Sequence, residues 1–225
     1  MIIAIANQAG SGGGALLANN LAVLRARSGH KVLLLDTDPK QPSCAWSCAR
    51  ASADIRPRIP ARAIGRTKPL PAVAELLLHY NDMLVDAAHD TLQSHAALSV
   101  ARLVLVPVSA QQVDLAMQYQ LIGRLNAVRA GNPRLRVLFV IVSGQDDPPG
   151  DALAAVRAYV ARVMFATLAT TIVHAPPTHD YGEGRCVCDA ETCDPEMAGE
   201  MHALYREVYA LAHWPAHAST GSLHP

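Results

Sequence analysis

Three carboxylates close short apolar runs: Asp36 and Asp38 end Leu33-Leu34-Leu35-Asp36-Thr37-Asp38-Pro39, and Asp86 ends Asp82-Met83-Leu84-Val85-Asp86. Acids at the C-terminal ends of buried parallel strands face the crevice in which such sheets hold ligands. An Asp-x-Asp-Pro sequence is equally a turn signal. The second candidate is the glycine-rich stretch Asn7-Gln8-Ala9-Gly10-Ser11-Gly12-Gly13-Gly14-Ala15-Leu16, which separates an apolar run from a helical one. A turn of this kind directs backbone N–H groups and a helix N-terminus at an anion. Working phosphate loops add a lysine for the terminal phosphates and a Ser/Thr hydroxyl for magnesium. Here Gly14 and Ala15 stand in those places, and no Lys or Arg precedes Arg25.

Other reactive side chains form weaker patterns. Cys186-x-Cys188 with Cys193 suggests a metal site, with His174, His179 or His202 as a fourth ligand, but zinc cysteines are usually paired at two to four residues and no second pair lies nearby. Cys44 and Cys48 are distant in sequence, so reduced packing thiols are the plainer reading. The 10 histidines are dispersed, and none stands near a Ser or Cys at triad-like spacing. Arg124, Arg129, Arg134 and Arg136 fall within Leu115 to Gln145, a stretch without an acid. Their plain reading is a solvated basic face.

The elements that must carry these residues follow from periodicity. Apolar runs predict strands at Ile2–Ala6, Val32–Leu35, Ile59–Ile64, Met83–Val85, Leu103–Val106, Val137–Val142 and Phe165–Ile172. Several are apolar on both faces, as buried parallel strands are. Helices are predicted over Ala15–Ser28, Leu70–Tyr80, Asp90–Val100, Val113–Ala130, Asp151–Arg162 and Pro195–Ala212. The first ends at Gly29, a residue suited to a left-handed helix stop. The last opens with Asp194-Pro195-Glu196, an N-cap acid before a first-turn proline. Its stripe of Met197, Met201, Leu204, Val208 and Leu211 reads as core packing. Alternating strands and helices predict a doubly wound, mostly parallel α/β sheet with helices on both faces. It is read as one domain over residues 1–212 with a loose tail over 213–225.

Composition narrows the function. A chain of 225 residues buries about 70–75% of its unfolded surface and needs neither disulfides nor metal for a core. With 51% hydrophobic and 17% charged residues it is not disordered. Nineteen basic against 19 acidic residues argue against a protein that coats nucleic acid by bulk charge, and 4% aromatics argue against a broad base-stacking surface. No leader precedes the first strand and no charge-free run is long enough to span a bilayer. A cytoplasmic protein with reduced thiols, away from membranes, is expected.

Residues 1–47 resemble the opening of the ParA/MinD family of deviant-Walker partitioning and positioning ATPases, through Asn7-Gln8, Leu17-Ala18-Asn19-Asn20-Leu21-Ala22 and Leu33-Leu34-Leu35-Asp36-Thr37-Asp38-Pro39. Trp46, the strand Asp82–Asp86, Leu103–Val108 with Asp114, and Gly184-Arg185 before Asp194-Pro195 extend the resemblance over nearly the whole chain. The departures fall at the chemistry. Ala9 and Gly14 stand at the two lysines, Ser11 at a glycine, Ala15 at the magnesium-binding threonine and Leu16 at the next threonine. Lys40 replaces a glutamine, and Ala87-Ala88-His89 replaces a proline-containing turn.

The resemblance implies ATP and magnesium as cofactors. Gly10, Ser11, Gly12, Gly13, Gly14, Ala15 and Leu16 would line the nucleotide, Asp36 and Asp86 the magnesium shell, and Asp38 would orient water. Charge-assisted bonds to phosphate contribute about 1.5–3 kcal/mol each, so losing the lysines and hydroxyl weakens triphosphate binding by roughly 5 kcal/mol. The expectation is a pseudo-ATPase that serves as a scaffold or regulator for a protein partner or an active homologue. The rival expectation is an active ATPase with an atypical phosphate loop, dimerising on ATP and binding DNA non-specifically, for which the resemblance makes Arg124, Arg129, Arg134 and Arg136 the DNA-contacting candidates. A metal- or redox-sensing thiol protein is third. No helix-turn-helix precedes the first strand, so operator-specific DNA binding is not expected.

Overall fold

The computed structural model describes residues 1–6, 13–64, 73–87, 91–109, 115–144, 146–163, 165–175, 184–189 and 194–213. Its strands are β1 (Ile2–Ile5), β2 (Val32–Asp36), β3 (Ala61–Ala63), β4 (Asp82–Asp86), β5 (Leu103–Val108), β6 (Arg136–Ser143), β7 (Ala166–Leu168) and β8 (Val173–His174). The helices are α1 (Gly13–Arg27), α2 (Pro42–Ser52), α3 (Val73–His79), α4 (Leu92–Val100), α5 (Leu115–Gly131), α6 (Gly150–Val160) and α7 (Pro195–His213). The strands form one sheet in the order β3-β2-β4-β1-β5-β6-β7, and β8 pairs with the upper part of β6. Every pairing is parallel. The doubly wound α/β expectation is met.

Strand alternation splits the core in two. Ile2, Ala4, Leu33, Leu35, Phe139 and Ile141 face α3, α4, α5 and α6. Ile3, Ile5, Leu34, Leu138 and Val140 face α1 and α7. Both faces of each central strand are dry, which is why those strands read as unbroken apolar runs. The α7 stripe packs as expected, with Met201, Leu204 and Val208 fully buried. Gly29 stops α1 at φ 86°, and Asp194 caps α7 by accepting from the N–H groups of Glu196 and Met197.

Three expectations are corrected. Residues 42–52 form a helix that the pattern did not signal, and only Ala166–Leu168 of the strand read at Phe165–Ile172 is strand (β7), with β8 following separately at Val173–His174 after a break. The break is made by Glu207 of α7, whose carboxylate accepts from the backbone N–H and hydroxyl of both Thr170 and Thr171. Those donors are thereby withdrawn from the sheet. The strand read at Ile59–Ile64 shortens to Ala61–Ala63. The expected tail lies outside the described residues except for His213, which ends α7.

Candidate functional site

The strands β2 and β4 are neighbours in register, with Asp36 opposite Asp86, and Asp86 is also opposite Ile5 of β1. Two carboxylates therefore meet at the C-terminal edge beside the first strand, where a parallel sheet opens its crevice. Asp36 is fully buried. Its Oδ2 accepts from the N–H groups of Ser43 (2.9 Å) and Cys44 (3.1 Å), and its Oδ1 from that of Asp38 (3.0 Å). It thus serves as the N-terminal cap of α2, whose own cap residue, Gln41, makes no side-chain bond. Burial raises the Asp36 pKa despite these three donors.

Asp86 is less well satisfied. Ser43 Oγ donates to its Oδ2 at 3.2 Å, while its buried Oδ1 has no partner among the described residues. Burial, the charge of Asp36 and then that of Asp38 push its pKa up to about 7, against the lowering effect of Ser43. Thr37 ties the two strand ends together: its N–H and Oγ1 both donate to the Asp86 carbonyl, at 3.1 and 2.7 Å. Thr37 Oγ1 also lies 3.2 Å from Ser94 Oγ, and Thr91 caps α4 by accepting from the Ser94 N–H. Thr37, Ser43, Thr91 and Ser94 escaped the sequence reading. Thr91, three residues ahead of Ser94, was the one legible capping signal among them.

A stability effect follows from Asp86. The unfolded carboxyl titrates at 3.8 and the folded one at about 7. Between these values the unfolded chain has released a proton that the folded chain keeps, so stability falls as pH rises from about 4 to about 7 and then levels. The neutral isostere Asp86→Asn is expected to remove this slope. In denaturant titrations it should exceed wild type at pH 8 by an amount on the order of 4 kcal/mol, and differ little at pH 4.

Among the residues expected to line a nucleotide, Gly10, Ser11 and Gly12 lie outside the described residues. Gly13 and Gly14 are buried in the first turn of α1, and Ala15 and Leu16 are half-buried. A Cβ on Gly13 would come within 3.0 Å of Pro107 Cβ and 3.2 Å of Val142 Cγ2. Glycine there lets α1 start directly against β5 and β6. The first turn carries no acid, and its backbone N–H groups face the same edge as Asp36 and Asp86.

An acid pair with one unpartnered oxygen fits a divalent cation. Among the described residues, Gly14 and Ala15 give a triphosphate no cation and its metal no hydroxyl, so the first turn of α1 does not fit magnesium-ATP.

Asp38 is half-buried; it accepts from the Lys40 N–H through Oδ1 and from the Gln41 N–H through its carbonyl, which turns the chain into α2. Lys40 is exposed beside it. The four arginines of the acid-free stretch separate. Arg124 is half-buried within α5, whereas Arg129, Arg134 and Arg136 gather where α5 returns to β6, at the edge opposite the acids. Cys186 and Cys188 are buried in the core against α1 and α7, Cys193 and His179 lie outside the described residues, and His174 is bound to Glu200 at 2.6 Å. Among the described residues no group of three or more His, Cys, Asp and Glu side chains is arranged to hold a metal ion.

A buried clamp at the far ends of α1 and α2, away from the crevice, had no local signature in the sequence. Arg50 is fully buried and donates to both oxygens of Asp189 at 2.7 and 3.0 Å. It donates also to the carbonyls of Pro57, Gly184 and Arg56. Asp189 further accepts from Arg27 and from the Cys186 N–H, and Trp46 donates to the Arg185 carbonyl. The clamp joins α1, α2 and the 184–189 segment.

A parallel doubly wound sheet with a glycine-started helix after β1 and acids at the tips of β2 and β4 defines the class of P-loop nucleoside-triphosphatase folds. No family model matches the chain. It is 30% identical over 215 residues to the chromosome-partitioning ATPase Soj of Thermus thermophilus, covering 80% of this chain and 85% of that protein. The chain belongs to the ParA/MinD-type family of P-loop ATPases. Its fold is shared by the MinD cell division protein of Aquifex aeolicus, with TM-score 0.61 and 16% identity over 93% of this chain and 96% of the other. It is shared also by cobyrinic acid a,c-diamide synthase of Mycobacterium smegmatis with bound ATP analog and magnesium, with TM-score 0.66 and 14% identity over 100% and 97%. Among the described residues, no helix is long and apolar enough to cross a membrane.

Proposed function

We propose that this chain is a cytoplasmic, single-domain ParA/MinD-like partitioning or positioning protein with lost or strongly impaired ATP hydrolysis, acting as a scaffold or regulator for a protein partner or an active homologue. One observation carries the reading: the first turn of α1 presents Gly14 and Ala15 toward the edge held by Asp36 and Asp86, leaving two acids and no side-chain cation or hydroxyl from that turn. Two acids repel a triphosphate unless a metal and lysines screen them. Hydrolysis in this fold is almost wholly charge stabilisation, so its loss should exceed the loss of binding.

The test is direct. Purified protein is expected to show no magnesium-dependent ATP hydrolysis above background and little affinity for a fluorescent ATP analogue. The retained acids, with Asp86 Oδ1 unpartnered, favour one second reading: an active ATPase that grips phosphate through backbone amides alone, dimerises on ATP and binds DNA non-specifically. Saturable low-micromolar binding with turnover would establish it in place of the first.

A further inference from the structure

The N-terminal edge of the sheet, opposite Asp36 and Asp86, carries a second feature. The α5–β6 and α6–β7 connections lie side by side there, because β6 and β7 are paired neighbours that begin at Arg136 and Ala166. They bring together Arg129, Arg134, Arg136, Arg162 and Phe165. Arg134 and Arg162 are exposed, Arg136 is half-buried, and none of the three makes an ion pair among the described residues. No acid occurs from Leu115 to Gly144 or from Ala152 to Ala175, so nothing in these elements neutralises the cluster.

Phe165 is 62% exposed at φ 63°, a left-handed conformation that bulky residues rarely occupy. Its ring is fixed: the Arg129 guanidinium lies 3.4 Å from the ring centroid, and Arg129 is itself anchored by donating to the Leu135 carbonyl at 2.8 Å. An apolar ring held out to solvent among unpaired guanidinium groups has the two parts of a nucleotide receptor, a π face for a base and donors for its phosphates.

We propose that this edge binds single-stranded nucleic acid, with one base stacked on Phe165 and neighbouring phosphates on Arg134, Arg136 and Arg162. A duplex hides its base faces in its own stack, leaving the ring without a role, and an anionic membrane would be met by several apolar side chains rather than one. The low aromatic content disfavours a broad stacking surface, and a single immobilised ring does not need one. The assignment is independent of what the crevice binds.

The experiment is fluorescence anisotropy of the full chain with a labelled thymidine oligonucleotide of about 20 nucleotides, the matched duplex, and vesicles of anionic lipid, over a salt series. The single strand is expected to bind most tightly. Three neutralised phosphates set a slope of log affinity on log salt near −2. Phe165→Asn suits the positive φ and removes the ring; it should weaken binding roughly ten-fold with the slope unchanged. Arg134→Ala and Arg162→Ala, both at exposed positions, should each make the slope shallower by about 0.7. Equal affinity for the duplex with indifference to Phe165→Asn, absence of single-strand binding at low salt, or preference for the vesicles would each overturn the assignment.

Discussion

Gly14→Lys combined with Ala15→Thr is expected to raise the affinity for magnesium-ATP by about a hundred-fold or more. The lysine adds at least one charge-assisted bond to phosphate and the hydroxyl adds a metal ligand, together about 3–5 kcal/mol. The elements that would receive the metal are already in place: Asp36 and Asp86 share a register position, and an oxygen of Asp86 is unpartnered. Gly14→Lys also suits helix geometry, since a glycine within a helix costs about 1 kcal/mol relative to better formers, while Ala15→Thr gives back about half of that. Affinity is read by titration with a fluorescent analogue and, separately, by the thermal shift that saturating nucleotide produces. Full turnover is not expected, because Ala9 still stands at the other lysine position of the family. Unchanged affinity in a folded double variant would sink the view that this loop is a stripped phosphate site.

The second large effect is structural. Asp189→Ala is expected to destabilise the protein by about 3–5 kcal/mol, because it leaves the fully buried Arg50 guanidinium without its counter-charge. Net stabilities of domains are about 5–15 kcal/mol, so this is a large fraction of the total. Burial acts to raise the Asp189 pKa, but the Arg50 fork and the Cys186 N–H overcome it and hold the carboxyl below its ordinary value. A carboxylate depressed in the fold stabilises above its unfolded pKa and loses that contribution as pH falls through the folded one. The destabilisation should therefore be full at neutral pH and shrink below about pH 4.

Gly184→Ala should destabilise through the same clamp. Its φ is +80°, and an added Cβ would fall 2.1 Å from the Arg50 backbone nitrogen. The internal control is Arg58→Ala, which removes an exposed partner of Asp54 and is expected to leave the thermal midpoint unchanged. An Asp189→Ala midpoint equal to that of the control would show that the buried pair contributes nothing.

The contrast between α7 and α2 explains what could be read in advance. Helix α7 announced itself through local chemistry: Asp194 caps its own first turn, Pro195 follows, and one stripe meets the core. Helix α2 has no such signature. Gln41 adopts φ 52° without a side-chain cap, and the donors of the first turn are met by Asp36, which lies on another strand. A cap supplied across the fold leaves no trace in the local sequence. The break between β7 and β8 is similar, since Glu207 captures Thr170 and Thr171 from 37 and 36 residues away.

By itself, then, the chain's sequence determined its class. Runs apolar on both faces require a parallel sheet covered on both sides, and glycines followed by strand-end acids mark one edge of it, because these are consequences of neighbouring residues alone. Only the tertiary structure decided how those acids are satisfied, that Arg50 and Asp189 are sealed together, and that Phe165 is held out among arginines. Each of these depends on atoms that are distant along the chain and adjacent in space, where burial and proximity set charge, conformation and cost.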